Sequence, residues 1–255
     1  MIETKLNNQP FYIEGNRDEA CLFLHGFGGS VLEMSPLAVF LYEQGFAVCG
    51  NNYPGHDKVY DKMPESKWED WYATAVEGYK KLEHKYSKIN VIAFSAGCPL
   101  SLNLLQNYPV NKVVFLAPFF KISKKLYFGL PDKLILGIKS LCSSQVEREG
   151  IKIADQKLAQ QATDLMFYRT FNLKAMKSLY ELIDFVTPII PHISIPSLII
   201  HSVKDDMADI SGAELLYKNL ASEKKELFLL KDSLHSIMLD LEREIVYKKI
   251  LEFLK

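Results

Sequence analysis

Ile89-Asn90-Val91-Ile92-Ala93-Phe94-Ser95-Ala96-Gly97, followed by the apolar run from Cys98 to Leu105, is the stretch that decides the fold. The bulky apolar residues up to Phe94 suit a strand covered on both faces. Leu100, Leu102, Leu104 and Leu105 suit a helix with no polar side. Between strand and helix stands Ser95, with Ala93 two places before it and Gly97 two places after. A strand that turns directly into a helix crowds two backbones around the turning residue, and only Gly or Ala leaves room there. This is the small-x-Ser-x-small frame of a nucleophile elbow, with alanine in place of the usual first glycine. Such a turn lifts the serine hydroxyl out of the sheet and faces it with the unpaired N–H groups of the helix start.

Outward from this turn, strands alternate with helices. Upstream, Phe11-Tyr12-Ile13 reads as a short edge strand, and Ala20 to Leu24 as a buried one ending in His25-Gly26-Phe27-Gly28-Gly29-Ser30. Met34 to Gln44 reads as a helix, with Ser35 as N-cap, Pro36 in the first turn and Gly45 as the stop. Phe46 to Gly50 is the next strand, running into the loop Asn51 to Asp57, and Trp68 to Tyr86 is a long helical pattern. Downstream, Lys112 to Leu116 is a strand closed by Ala117-Pro118. From Phe119 to about Ile195 the alternation stops in favour of a mostly helical, aromatic-rich stretch. It resumes with a strand at Ser197–His201, a helix at Ser211–Leu220, a strand at Glu226–Leu230 and a helix at Arg243–Leu254. The pattern predicts an α/β fold: one domain over residues 1–255, a doubly wound and mostly parallel sheet, with residues 119–195 as an inserted helical cap subdomain.

Composition narrows the function classes. The formal net charge of -1 comes with no basic block or stripe, which argues against nucleic acid as a partner. No apolar run approaches the length of about 20 residues that spans a bilayer, and the first residues lack a signal core, so stable membrane insertion is not expected and a cytoplasmic location is. Cys21, Cys49, Cys98 and Cys142 are scattered without a C-x-x-C pair and read as buried thiols, not as metal ligands or disulfide partners.

An activated serine needs a base within hydrogen-bond reach and a third group to hold that base. In open parallel sheets such groups lie just beyond the carboxyl ends of strands. The strand ending at His201 is followed by Val203-Lys204-Asp205-Asp206, and the last strand by Lys231-Asp232-Ser233-Leu234-His235-Ser236. The order Ser95, Asp205, His235 matches the chain order of such sites, with Asp206 an adjacent competitor for the acid. His84, among lysines, reads as a solvated helix face, and His192, among prolines, as a loop residue. Gly26, Gly28 and Gly29 let the first loop pass close to a substrate carbonyl, where the N–H groups of Phe27 and Ala96 would hold an oxyanion. The loop fits neither G-x-x-x-x-G-K-[ST] nor G-x-G-x-x-G, so a phosphate cradle is the weaker reading.

Five segments together resemble the α/β-hydrolase superfamily, and within it the small bacterial carboxylesterases and monoacylglycerol lipases. They are Leu24 to Gly29, Tyr53-Pro54-Gly55-His56, Phe94 to Gly97, Lys204 to Met207 and Leu234 to Asp240. Ala175 to Val186 is similar to the short helical cap of those esterases. The resemblance implies Ser95 as nucleophile, His235 as base, Asp205 as acid, and Phe27 and Ala96 as oxyanion donors. Substrate contacts are expected at His25, Gly26, Phe119 and Phe120. A serine nucleophile, where dehalogenase and epoxide-hydrolase relatives use an aspartate, argues against those chemistries. The expected activity is cofactor-free and metal-free cleavage of a small ester, with short-to-medium acyl chains and monoacylglycerols as the substrate range. A thioesterase or amidase would use the same groups, and a ligand-binding hydrolase fold without turnover is the non-enzymatic alternative. Phe119, Phe120, Tyr127, Phe128, Phe167, Tyr168 and Phe171 suggest an apolar acyl pocket with few charges.

Overall fold

The computed structural model describes residues 6–123, 143–148 and 150–255. Its strands are β1 (Phe11–Ile13), β2 (Glu19–Leu24), β3 (Ala47–Gly50), β4 (Lys88–Phe94), β5 (Lys112–Leu116), β6 (Gln145–Glu147), β7 (Thr170–Asn172), β8 (Ser197–Ser202) and β9 (Lys225–Leu230). The described α-helices are α1 (Ser35–Glu43), α2 (Trp68–Glu83), α3 (Gly97–Asn107), α4 (Gln156–Asp164), α5 (Leu173–Val186), α6 (Ser211–Asn219) and α7 (Arg243–Leu254). Seven strands form one sheet in the order β1-β3-β2-β4-β5-β8-β9. All neighbours are parallel except the edge strand β1, which runs antiparallel to β3.

Side chains alternate between the two faces of a strand, and each face carries its own core. Leu22, Val91, Phe115 and Ile199 pack under α2, α3 and α6, whereas Phe23, Ile92, Val114 and Leu198 pack under α1 and α7. β4 is fully buried after Lys88, and α3, which follows it, is buried along its first nine residues, Gly97 to Leu105. The elbow is therefore held between a buried strand and a buried helix. Cys21, Cys49 and Cys98 are buried free thiols, and Cys142 lies outside the described residues. Among the described residues no helix is long and apolar enough to cross a membrane.

Two details differ from the sequence reading. Ser35 is not the N-cap of α1: it is the first helical residue, and its hydroxyl donates to the Leu32 carbonyl. The capping serine is Ser30, which accepts from the Leu32 N–H and starts a 3-10 turn at Val31–Glu33. The described part of the segment between β5 and β8 carries two short strands beside its helices. β6 and β7 pair antiparallel as a separate ribbon, each strand only three residues long and so below the length at which alternation can be read. A small cluster of Ile151, Ile153, Leu158 and Ala162 fastens this segment to Leu32 and Leu239.

Candidate active site

Ser95 sits between β4 and α3 with φ of 53°, a left-handed conformation that non-glycine residues rarely hold. The surroundings hold it there. Its N–H donates to the Leu116 carbonyl at 2.9 Å, and its carbonyl accepts from Cys98 at 3.0 Å and Phe119 at 3.2 Å. Gly97 must be glycine, because a Cβ there would stand 2.2 Å from the Leu24 carbonyl oxygen. At Gly26 a Cβ would stand 2.9 Å from the Ser95 Cβ, so the loop after β2 lies directly against the serine.

The loops after β8 and β9 bring the other two groups. His235 Nε2 is 2.9 Å from Ser95 Oγ, and His235 Nδ1 is 2.8 Å from Asp205 Oδ2. Asp205 Oδ1 accepts from the N–H groups of Met207 and Ala208 at 2.8 and 2.9 Å, which fixes the buried carboxylate. Asp206 also lines the cavity, but of the two adjacent carboxylates it is Asp205 that is hydrogen-bonded to His235. The histidine loop is itself tied down. Asp240 accepts from Leu234 N–H at 2.6 Å, and Glu242 accepts from the N–H groups of Lys231, Asp232 and Ser233. Burial opposes ionisation of Asp205, but His235 beside it outweighs this and holds the carboxyl below its ordinary range. For His235 burial likewise disfavours the charged form, and the Asp205 carboxylate overcomes it to raise the pKa above the ordinary histidine value.

Ser95 and His235 open into a cavity of about 270 Å³ whose lining includes Gly26, Phe27 and Phe119. Residues between β5 and β8 supply most of its far wall, among them Val146, Phe171, Met176, Leu179 and Tyr180. Two expected contacts are corrected. His25 is fully buried and does not line the cavity: its ring stacks on Tyr53 at 3.9 Å, Nδ1 donates to the Gly26 carbonyl and Nε2 accepts from the Tyr53 N–H. Phe120 also faces the core, against Gly212, and not the cavity. Tyr127 and Phe128 lie outside the described residues. The wall is more charged than its aromatic sequence suggested, since Glu33, Glu147, Arg148, Lys152 and Asp206 all reach it.

Sequence reasoning missed Glu33, Arg148 and His201. Glu33 follows a glycine loop at a helix start, where an acid is ordinary, and Arg148 lies in the polar run Gln145 to Gly150. His201 reads in the sequence only as the end of a strand, yet it is fully buried with Nε2 3.6 Å from Asp205 Oδ2. Among the described residues no group of His, Cys, Asp and Glu could hold a metal ion. The N–H groups of Phe27 and Ala96 have no acceptor among the described residues.

A parallel sheet with a strained serine turn at one central strand, and a histidine and a carboxylate on loops beyond two others, is the α/β-hydrolase fold. Residues 15–242 match the model of the Hydrolase_4 family, described as serine aminopeptidase, S33, and the chain belongs to that family. It is 26% identical over 249 residues to a carboxylesterase of Bacillus subtilis strain 168, covering 97% of this chain and 96% of the relative. To the thermostable monoacylglycerol lipase of Bacillus sp. strain H-257 it is 26% identical over 245 residues, covering 96% and 93%. A solved structure from the metagenome-derived lipolytic enzymes LipS and LipT superposes with a TM-score of 0.85 at 24% identity, covering 96% of each chain.

Proposed function

We propose that this chain is a carboxylic ester hydrolase that works through an acyl-enzyme on Ser95. The observation that carries the reading is the unbroken hydrogen-bonded chain from Ser95 Oγ through His235 to Asp205, opening into a cavity sized for a small ester. Ser95 Oγ attacks the ester carbonyl carbon while its proton passes to His235 Nε2. The carbonyl oxygen becomes an oxyanion between the N–H groups of Phe27 and Ala96. Collapse of the intermediate expels the alcohol, which takes the proton from His235. Water then attacks the acyl-enzyme with His235 again as base, and the free acid leaves. Asp205 keeps the Nε2 lone pair directed at Ser95 and stabilises the imidazolium in both halves.

The segment between β5 and β8 acts as the cap. It walls the acyl and alcohol subsites with Phe171, Met176, Leu179 and Tyr180, which suits uncharged short-to-medium acyl chains, monoacylglycerols among them. The carboxylesterase and monoacylglycerol lipase relatives support an ester as the substrate. The deciding test is labelling by a fluorophosphonate, with the adduct located on Ser95 by mass spectrometry and an acyl burst on p-nitrophenyl esters. Labelling elsewhere, or turnover that survives Ser95→Ala within tenfold, would defeat the reading. A panel of esters, thioesters and amides of one acyl chain separates ester cleavage from its chemical neighbours.

A further inference from the structure

The loop that carries the Phe27 amide is gripped from a place remote in sequence. Arg148, one residue beyond β6, has a side chain only 10% exposed, and one guanidinium nitrogen donates to the Gly28 carbonyl. A second nitrogen lies 4.0 Å from Glu33 Oε1, and the guanidinium carbon stands 5.3 Å over the ring of Phe171. That ring in turn stacks on Phe27 at 5.6 Å with an interplanar angle of 22°. From below, Glu33 packs against Gly29, where a Cβ would meet its Oε2 at 2.5 Å. Gly28 turns with φ of 68°, and a side chain there would run into Phe171. Three side chains thus close on three consecutive residues, two of them reaching out of the β6–β7 ribbon.

A buried guanidinium is expensive unless its hydrogen bonds and charge are met. Here one nitrogen is bonded to the loop's Gly28 carbonyl, and the Glu33 carboxylate at the loop's base faces the charge. The planar fork lets one nitrogen reach a carbonyl while another faces a carboxylate, a division that a lysine ammonium makes poorly. We infer that Arg148 is a positioning residue: together with Glu33 and Phe171 it clamps the Phe27–Gly29 loop to the cap and so holds the Phe27 amide at the distance an oxyanion requires. The inference rests on the reading of that amide as a donor. The alternative for a charged pair on a cavity wall, direct contact with substrate, predicts a different kinetic signature.

Hydrogen exchange at the Gly29 amide, which donates to the Gly26 carbonyl at 3.2 Å, reads the clamp without any substrate. In Arg148→Met that amide should exchange about tenfold faster, while β4 amides keep their wild-type rates. On p-nitrophenyl butyrate the same variant should lose kcat by about 10²-fold, the cost of one oxyanion donor, with KM within about threefold. Millimolar guanidinium should restore part of the kcat of Arg148→Ala, and Arg148→Lys should fall between Met and wild type. If Arg148→Met does not fold, Glu33→Gln, which keeps shape and removes one charge, should show the same effects at smaller size. Unchanged Gly29 exchange, or a raised KM at constant kcat, would overturn the inference. A wild-type protein without ester turnover would defeat the functional reading instead, and the exchange arm would still decide whether the clamp exists.

Discussion

Replacing Asp205 with asparagine perturbs one atom of the site and leaves its shape. Asp205 Oδ1 already accepts two backbone N–H bonds, from Met207 and Ala208. An asparagine keeps both only by placing its carbonyl oxygen there, which turns its NH2 group toward His235 Nδ1. The histidine must then carry its proton on Nε2 and donate to Ser95 when it should accept. The opposite amide orientation sets NH2 against two donors and forfeits both bonds. The wrong tautomer costs about 10⁴ in kcat, or about 5 kcal/mol of transition-state stabilisation. The fold loses less, about 1.5–3 kcal/mol for one charge-assisted bond. Asp206 faces the cavity with no bond to His235, so Asp206→Asn should change kcat by less than about tenfold. Steady-state hydrolysis of p-nitrophenyl butyrate near pH 8, with burst kinetics to isolate acylation, measures both. The reasoning fails if Asp206→Asn proves the more damaging, or if Asp205→Asn retains a tenth of wild-type activity.

Ser95→Ala should abolish turnover by about 10⁶-fold while thermal unfolding shifts little, since one hydroxyl at a cavity wall is removed. Gly97→Ala drives a Cβ into the backbone of Leu24 and His25, which cannot move aside within the sheet. It should cost about 1–3 kcal/mol or more, read as a fall in Tm of several degrees. The kcat/KM profile needs neutral His235, whose pKa is raised, so its acid limb should lie above the ordinary histidine value of 6.5 and move down in Asp205→Asn. The linked effect on stability has the same sign: the fold gains from the imidazolium below the ordinary value and loses that gain as pH rises through the raised one. Asp205, held low, gives stability that is present above its ordinary pKa and is lost as pH falls through the depressed one. Across p-nitrophenyl esters, kcat/KM should climb from acetate by up to about fourfold per methylene, peak between butyrate and decanoate, then fall. A steady decline from acetate would show that the cavity holds no acyl chain.

Much of this molecule was legible because strong local signals coincide with its centre. The strand ending at Phe94, the turn at Ser95 and the apolar α3 each declare themselves within a few residues. The choice of Asp205 over Asp206 rests in the sequence on its distance from the strand and on the resemblance alone, because neighbours in a turn face different ways and only the fold says which of them meets His235. His25 misled for a related reason: a histidine beside a site glycine suggests contact, while its hydrogen bonds show it supporting Gly26 from beneath. The β6–β7 ribbon is hard to read because each strand has only three residues, and the Glu33–Arg148 pair because it joins polar segments more than a hundred residues apart, a meeting that no periodicity records.

The close approach at Gly97 has a consequence for how such a site can change. The loop after β2 and the turn after β4 press directly on one another, with Gly97 against the Leu24 and His25 carbonyls and Gly26 against the Ser95 side chain. Both proposed oxyanion donors are main-chain groups on those two segments, so their separation depends on no side chain of their own. Wall side chains outside the Arg148–Phe171 clamp, such as Met176, Leu179 and Tyr180, can therefore be recombined while the reacting geometry stays put. Libraries aimed at new substrates belong at those positions, and the two glycines and the clamp residues should be left out of them.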